Sequence, residues 1–190
     1  AVHVSHLIPE ASCRTAGQPR TYNTNYTIQG GLSLFGSGCK GSNGKAPAML
    51  PIGYPLIGAQ LFGVGLQDAL PSTGAFLLLG TSNTAWFGLP LPWDLGFTGA
   101  AGCKLNVSVT TMIAAQTLAA GDATVRMSIP ADSALAGARI YFQWLAADAA
   151  APGAFTTSDG MEALLLEPSA PTMQGRSEER RVGKECRSRW

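Results

Sequence analysis

The sequence predicts an all-β fold, an antiparallel two-sheet β-sandwich of jelly-roll-like or Ig-like kind with about 7–8 strands. Three observations predict it. Twenty-three glycines and twelve prolines cut the 190 residues into short segments. Those segments alternate apolar and polar residues with a period of two. Neither a long helical period nor a heptad run appears. Short alternating segments bury their apolar faces most economically as two sheets packed face to face.

Composition excludes several classes. Charged residues make up 13% of the chain and hydrophobic residues 46%. That is too little charge and too much apolar surface for a disordered acidic or basic protein. A membrane-spanning helix needs a run of about 18 apolar residues, and none is present. A domain of this length buries roughly 70% of its unfolded surface, so it can stand on its own core.

The end of the chain reads differently. Residues 176–190, RSEERRVGKECRSRW, match the translation of a common sequencing adapter that begins AGATCGGAAGAGCGTCGTG. We treat them as an adapter-derived artefact rather than as a basic tail. They carry six of the thirteen basic and three of the twelve acidic residues, so the remainder holds seven against nine, a net charge of −2. That balance offers nothing basic to grip nucleic acid. The chain begins at Ala1, and we expect a mature form or a fragment cut at both ends.

The expected organisation is a lead-in over 1–35, a sandwich domain over 36–168, a short end over 169–175 and the artefact. Within the lead-in, Tyr22, Thr24, Tyr26 and Ile28 share one face of an extended segment, opposite Asn23, Asn25 and Thr27. Three readings stay open for this segment: a first strand of the domain, the end of a preceding domain, or a donor strand lent to a neighbouring molecule. A Gly-rich turn segment over 36–45 opens the domain. Phe62, Val64 and Leu66 mark one face of a strand, with Gly63 and Gly65 on the other, where another layer approaches closely or the face lies bare. Ala75–Gly80 reads as a short apolar strand buried on both sides. Thr81–Phe97 reads as a Pro-rich loop crowded with aromatics.

Leu105, Val107 and Val109 alternate with polar residues, and so do Val125, Met127 and Ile129, predicting a hairpin of two half-buried strands. Asp132 or Ser133 caps a single helical turn over 132–136. Ile140, Phe142, Trp144 and Ala146 form the apolar face of the next strand, with Trp144 in the core. Met161–Leu166 supplies the last strand.

Catalytic chemistry finds little support. His3 and His6 form HxxH, but in a ragged terminus without HExxH context, and no other histidine exists. A hydrolase base is therefore lacking in the domain. Gly80–Thr84 lacks the second glycine of a nucleophile elbow. Gly44–Lys45 is followed by Ala46 rather than Ser or Thr, so the glycine loop reads as a turn, not a phosphate loop. Asp68, Asp94, Asp122, Asp132, Asp148 and Asp159 fall mostly at strand ends and turns, where Asp bonds local backbone. No DxDxDG run supplies converging oxygens, so no cofactor or metal is expected, with calcium as the one candidate. No two carboxylates are paired for glycoside hydrolysis.

Trp86 and Trp93 flank the Pro-rich loop, with Phe87 and Phe97 nearby. Two readings stay open. The rings plug one end of the sandwich, or they form a ligand platform that stacks on sugar faces.

Taken together, GSGCKGSNGKAPAML, PLIGAQLFGVGL, LLLGTSNTAWFGLPLPWDL, GAAGCKLNVS, IPADSALAGARIYFQWLAAD and TTSDGMEALLLEP form an ordered series over roughly 36–167. It resembles a β-rich domain found at the C-termini of secreted and surface proteins of planctomycetes and similar bacteria. Two departures stand out: Ser158-Asp159-Gly160 replaces Ser-Asn-Gly, and Leu164–Leu166 replaces a β-branched end. The resemblance implies a bacterial extracellular or cell-surface location and no established catalytic set. It keeps counterparts of Cys39 and Cys103, which implies a Cys39–Cys103 disulfide and an oxidising compartment, with two buried thiols as the alternative. Cys13 is left over.

The function expected from these readings is a non-catalytic secreted module for attachment, assembly or presentation. Its partner is a parent polypeptide or an extracellular polymer, with no nucleic acid and no membrane span. One alternative is a carbohydrate-binding module using Trp86 and Trp93. Another is a filament subunit assembled by strand addition. An enzyme enters only through sequence upstream.

Overall fold

A computed structural model describes residues 31–168. The expectations for Tyr22–Ile28, His3, His6, Cys13 and 176–190 lie outside these residues. Eight strands build two antiparallel sheets: β1 (Leu32–Phe35), β2 (Ala48–Ile52), β3 (Phe62–Gln67), β4 (Gly74–Gly80), β9 (Thr111–Gln116), β10 (Ala123–Met127), β11 (Arg139–Ala147) and β12 (Phe155–Leu164). The larger sheet runs β1-β12-β11-β4-β9 and the smaller β10-β3-β2. Four two-residue strands, β5 (Ala85–Trp86), β6 (Leu89–Pro90), β7 (Trp93–Asp94) and β8 (Lys104–Leu105), form two small hairpin pairs between β4 and β9. Among the described residues no helix is long and apolar enough to cross a membrane.

Period-two alternation sets the core, because successive side chains of a strand leave on opposite faces. Phe62, Val64 and Leu66 of β3 face Leu77 of β4 and Phe142 and Trp144 of β11 across the sandwich. Trp144 is wholly buried, and its indole N–H donates across the core to the Gly65 carbonyl at 3.0 Å. The bare face of Gly63 and Gly65 is covered from within its own sheet, by Leu50 and Ile52 of β2. Asp132 caps a 3-10 turn over Ser133–Leu135 by accepting from the Ala134 N–H at 2.9 Å.

Four expectations need correction. The hairpin spanning 105–129 does not form. β9 pairs with β4 in the larger sheet, β10 pairs with β3 in the smaller one, and Val107 is buried in a separate cluster on the outer face of the larger sheet. Both runs alternate because each has a core to face, but the cores differ. Ala75–Gly80 is not buried on both sides throughout: Phe76 is 43% exposed, since the layer covering the outer face stops short of it. Thr81–Phe97 is more than a loop, because it carries β5, β6 and β7. Finally, Leu32–Phe35 of the lead-in is an integral strand, in register with Gly160–Ala163 of β12.

The sandwich has a third, partial layer. On the outer face of the larger sheet, Leu78 and Tyr141 are buried beneath Leu95, Ala100, Leu105 and Val107. Residues 81–110 thus form a lid over the part of that face around Leu78 and Tyr141. A buried polar network fixes its position. Gln143 of β11, fully buried, accepts from the Asn106 N–H at 2.7 Å and donates to the carbonyls of Lys104 and Ser158 at 2.9 and 2.8 Å. Its amide acts as a short piece of β-ladder, satisfying lid backbone that has no strand partner there. The Ser108 hydroxyl accepts from the Thr81 and Ser82 N–H groups at 3.1 and 3.0 Å. The lid passes so close to β4 that a Cβ on Gly80 would collide with the Ser108 carbonyl.

Candidate functional site

Cys39 and Cys103 are joined, across a sequence separation of 64, where the Gly-rich segment after β1 meets the lid. A Cys–Cys bridge at this point locks the lid against the segment leading to β2. The same segment is held by Asp148 at the end of β11. This buried carboxylate accepts from the N–H groups of Ser42, Ala150 and Ala151 at 2.7, 3.2 and 3.1 Å. Desolvation alone would raise its pKa, but the donated hydrogen bonds, Ser42 foremost, outweigh burial and hold it below the ordinary carboxylate value. Asp159 of β12 ties the two sheets together by accepting from the Met49 N–H at 2.8 Å. Here burial dominates, and the Met49 hydrogen bond only partly offsets it, so this carboxyl titrates above its ordinary value.

Trp86 and Trp93 come together on the lid. Their ring centroids lie 6.4 Å apart. Phe87 extends the group from Trp86, at 5.3 Å, and Phe97 extends it from Trp93, at 4.9 Å in a stacked pair. The result is a continuous row, Phe87–Trp86–Trp93–Phe97, whose planes are tilted by 46°, 55° and 24° in turn. It is a twisted platform, not a flat one. Both sequence readings meet here. The two indoles are half-buried and pack inward on the lid cluster, while Phe87 and Phe97 stand out, 90% and 69% exposed. The Trp86 indole N–H donates to the Val109 carbonyl at 3.2 Å, which fixes the ring.

The local backbone explains the position of Phe87. β5 and β6 are joined by the two residues Phe87 and Gly88, with φ of 47° and 81°. Positive φ at both central positions is the signature of a type I′ hairpin turn, which favours Asn-Gly or Gly-Gly. A bulky phenylalanine there is a steric outlier. The strain costs about 1–3 kcal/mol and is characteristic of residues held for a purpose other than stability. Phe87 gains almost no burial in return.

Beside Trp86 lies an open groove of about 400 Å³, walled by Trp86, Phe87, Ala85 and Val109 together with Thr81, Ser82, Ser108 and Thr110. Its rim is rich in hydroxyls. No charged residue occurs from Thr81 to Trp93, and Asp94 is the nearest in sequence on the lid. The site is therefore aromatic, hydroxyl-lined and close to neutral.

Among the described residues, no three His, Cys, Asp or Glu side chains gather as a metal site would require. Asp68 pairs with Lys45 at 2.6 Å, Asp94 accepts from the Gly96 N–H at 2.7 Å, and Asp132 serves its cap. Sequence reasoning noted Phe87 and Phe97 as neighbours of the indoles but missed their exposure. The Phe-Gly pair between two apolar dipeptides was the available signal. It also missed the Gln143–Asn106 network, whose signal was a lone glutamine within the run 140–147. Comparison of the chain with family models, with curated proteins and with solved structures finds no match.

Proposed function

We propose that this chain is a non-catalytic attachment module of a secreted or surface protein, and that it holds an uncharged carbohydrate chain on the Phe87–Trp86–Trp93–Phe97 row. The observation that carries this reading is Phe87, 90% exposed at a turn whose backbone strains to present it. Sugar rings offer C–H faces that stack on aromatic faces, and equatorial hydroxyls that bond to a polar rim. The half-buried indoles supply rigid rings, and the hydroxyl-lined groove supplies polar partners. The low charge of the lid favours a neutral polymer over an anionic one. The Cys39–Cys103 bridge supports an oxidising, extracellular setting.

Retention on insoluble neutral polysaccharides, and retardation in gels containing soluble ones, tests this directly. Phe87→Gly and Phe97→Ala are the informative variants, because neither side chain supports the core. Losing one ring contact of about 1.4 kcal/mol weakens binding about tenfold. Wild-type protein that passes freely through a broad panel of neutral glycans contradicts the proposal. So does retention that both variants preserve.

A further inference from the structure

Among the described residues the two sheets end on four edges, β1, β9, β10 and β2. An unpaired edge invites pairing with another chain, and native sheets guard it with shortness, charge or proline. Three edges are guarded in this way. β1 has four residues, β2 carries Pro51 and β10 carries the exposed Arg126. β9 has six residues and no guard. No charged residue occurs between Lys104 and Asp122, and no proline interrupts β9. The Thr117 N–H donates to the Thr73 carbonyl at 2.9 Å, continuing the ladder toward β4. By the alternation of an antiparallel ladder, the N–H and C=O groups of Met112, Ala114 and Gln116 then point away from the sheet. All three residues are exposed, and Met112 lies opposite Leu78 in the register, two pairs on from Phe76 and Ala114 and so on the same face. Beside this edge Phe76 and Met112 are 43% and 60% exposed, a patch the lid leaves uncovered.

The chain itself supplies a segment of matching chemistry. Residues 22–28, Tyr-Asn-Thr-Asn-Tyr-Thr-Ile, alternate with period two, carry no charge and are one residue longer than β9. They precede β1, which sits at the opposite edge of the same sheet. A strand added outside β9 would lie five inter-strand steps from β1, about 24 Å at roughly 4.8 Å each. Ile28 is four residues from Leu32, a reach of at most about 14 Å. The segment therefore cannot cover the β9 edge of its own chain.

We infer that the free edge of β9 receives residues 22–28 of a second copy of this chain, extending the larger sheet across the junction. The Tyr22, Thr24, Tyr26 and Ile28 face then continues the Phe76–Met112 patch. The donor segment leads into β1 and the acceptor is β9, strands at opposite edges of one sheet, so the contact is head-to-tail and propagates.

The test uses the full chain and two single variants. Ala114→Pro removes an outward N–H and leaves the β4 ladder intact, because proline is tolerated where the N–H faces solvent. Tyr26→Pro breaks the donor. Wild type is expected to grow from monomer to dimer and larger species in sedimentation velocity as concentration rises from micromolar to near-millimolar. Each variant alone is expected to stay monomeric, while their equimolar mixture stops at a heterodimer, one intact donor meeting one intact acceptor. If Ala114→Pro loses cooperative unfolding, Met112→Lys replaces it in the same mixture. A wild type that is monomeric throughout overturns the inference, as does association that survives Tyr26→Pro or a mixture that fails to pair.

Discussion

The Asn106 N–H donates to the Gln143 side-chain oxygen at 2.7 Å, in a setting where both residues are buried. Through this contact the larger sheet sets the height and register of the lid that carries the aromatic row. Gln143→Leu keeps the volume but removes partners from the Asn106 N–H and from the Lys104 and Ser158 carbonyls. Each orphaned buried group costs about 1–3 kcal/mol, so the variant is expected to lose about 3 kcal/mol or more. Urea unfolding with an unchanged slope and a lower midpoint is the expected result. A loss within experimental error would mean that the lid is held otherwise.

The Cys39–Cys103 bridge closes a long loop between the first strand and the lid. In the chain-entropy model a closure of this length contributes about 4 kcal/mol. Cys39→Ser with Cys103→Ser, or reduction of the wild type, is expected to lower the thermal midpoint markedly while leaving the fold all-β by circular dichroism. Peptide mapping without reductant should recover the two cysteines linked.

Two carboxylates give opposite pH behaviour. Asp148 is held below its ordinary value, so its contribution is complete above the unfolded pKa of about 3.9 and is lost as pH falls through the folded value. Asp148→Asn, which forfeits the acceptor either for Ser42 or for both Ala150 and Ala151, is expected to destabilise at neutral pH, with the gap to wild type narrowing in acid. Asp159 is pushed up by burial, so its contribution is complete below about 3.9 and is lost as pH rises through the folded value. Asp159→Asn can still accept from Met49, and it is expected to raise the denaturation midpoint at pH 7 and to lose that advantage in acid. Denaturation midpoints measured across pH 2–8 separate the two.

Phe87 is expected to cost stability. Phe87→Gly removes the steric penalty at φ 47° and gives up little burial, so the variant should be more stable by about 1 kcal/mol. A clear loss of stability would assign the side chain a structural role instead.

Much of the sandwich was legible because its strands face a single core. β3 and β11 declare themselves through Phe62, Val64, Leu66, Phe142 and Trp144, and the Asp132 cap through local hydrogen bonding. Pairing was less legible. Leu105–Val109 and Val125–Ile129 look alike in sequence, yet one faces the lid cluster and the other the sandwich, and period-two alternation carries no label for which. β9, with Ala114 and Ala115 at its centre, has too weak a contrast to announce itself. At the site, Trp86 and Trp93 were visible as residue types. That they pack inward while Phe87 and Phe97 face out depends on the φ of a two-residue turn and on Val109 lying within reach of one indole. Neither is written in local composition.

Intrinsic fluorescence tests the central claim most directly. Trp86 and Trp93 lie in the row, whereas Trp144 is sealed in the core. Titration with soluble neutral oligosaccharides is predicted to shift the emission and to shield it from iodide. The change should disappear in Trp93→Phe combined with Trp86→Phe and weaken in Phe87→Gly. Oligosaccharide binding that leaves the emission of the wild type untouched, or no binding by any neutral glycan, would contradict the account.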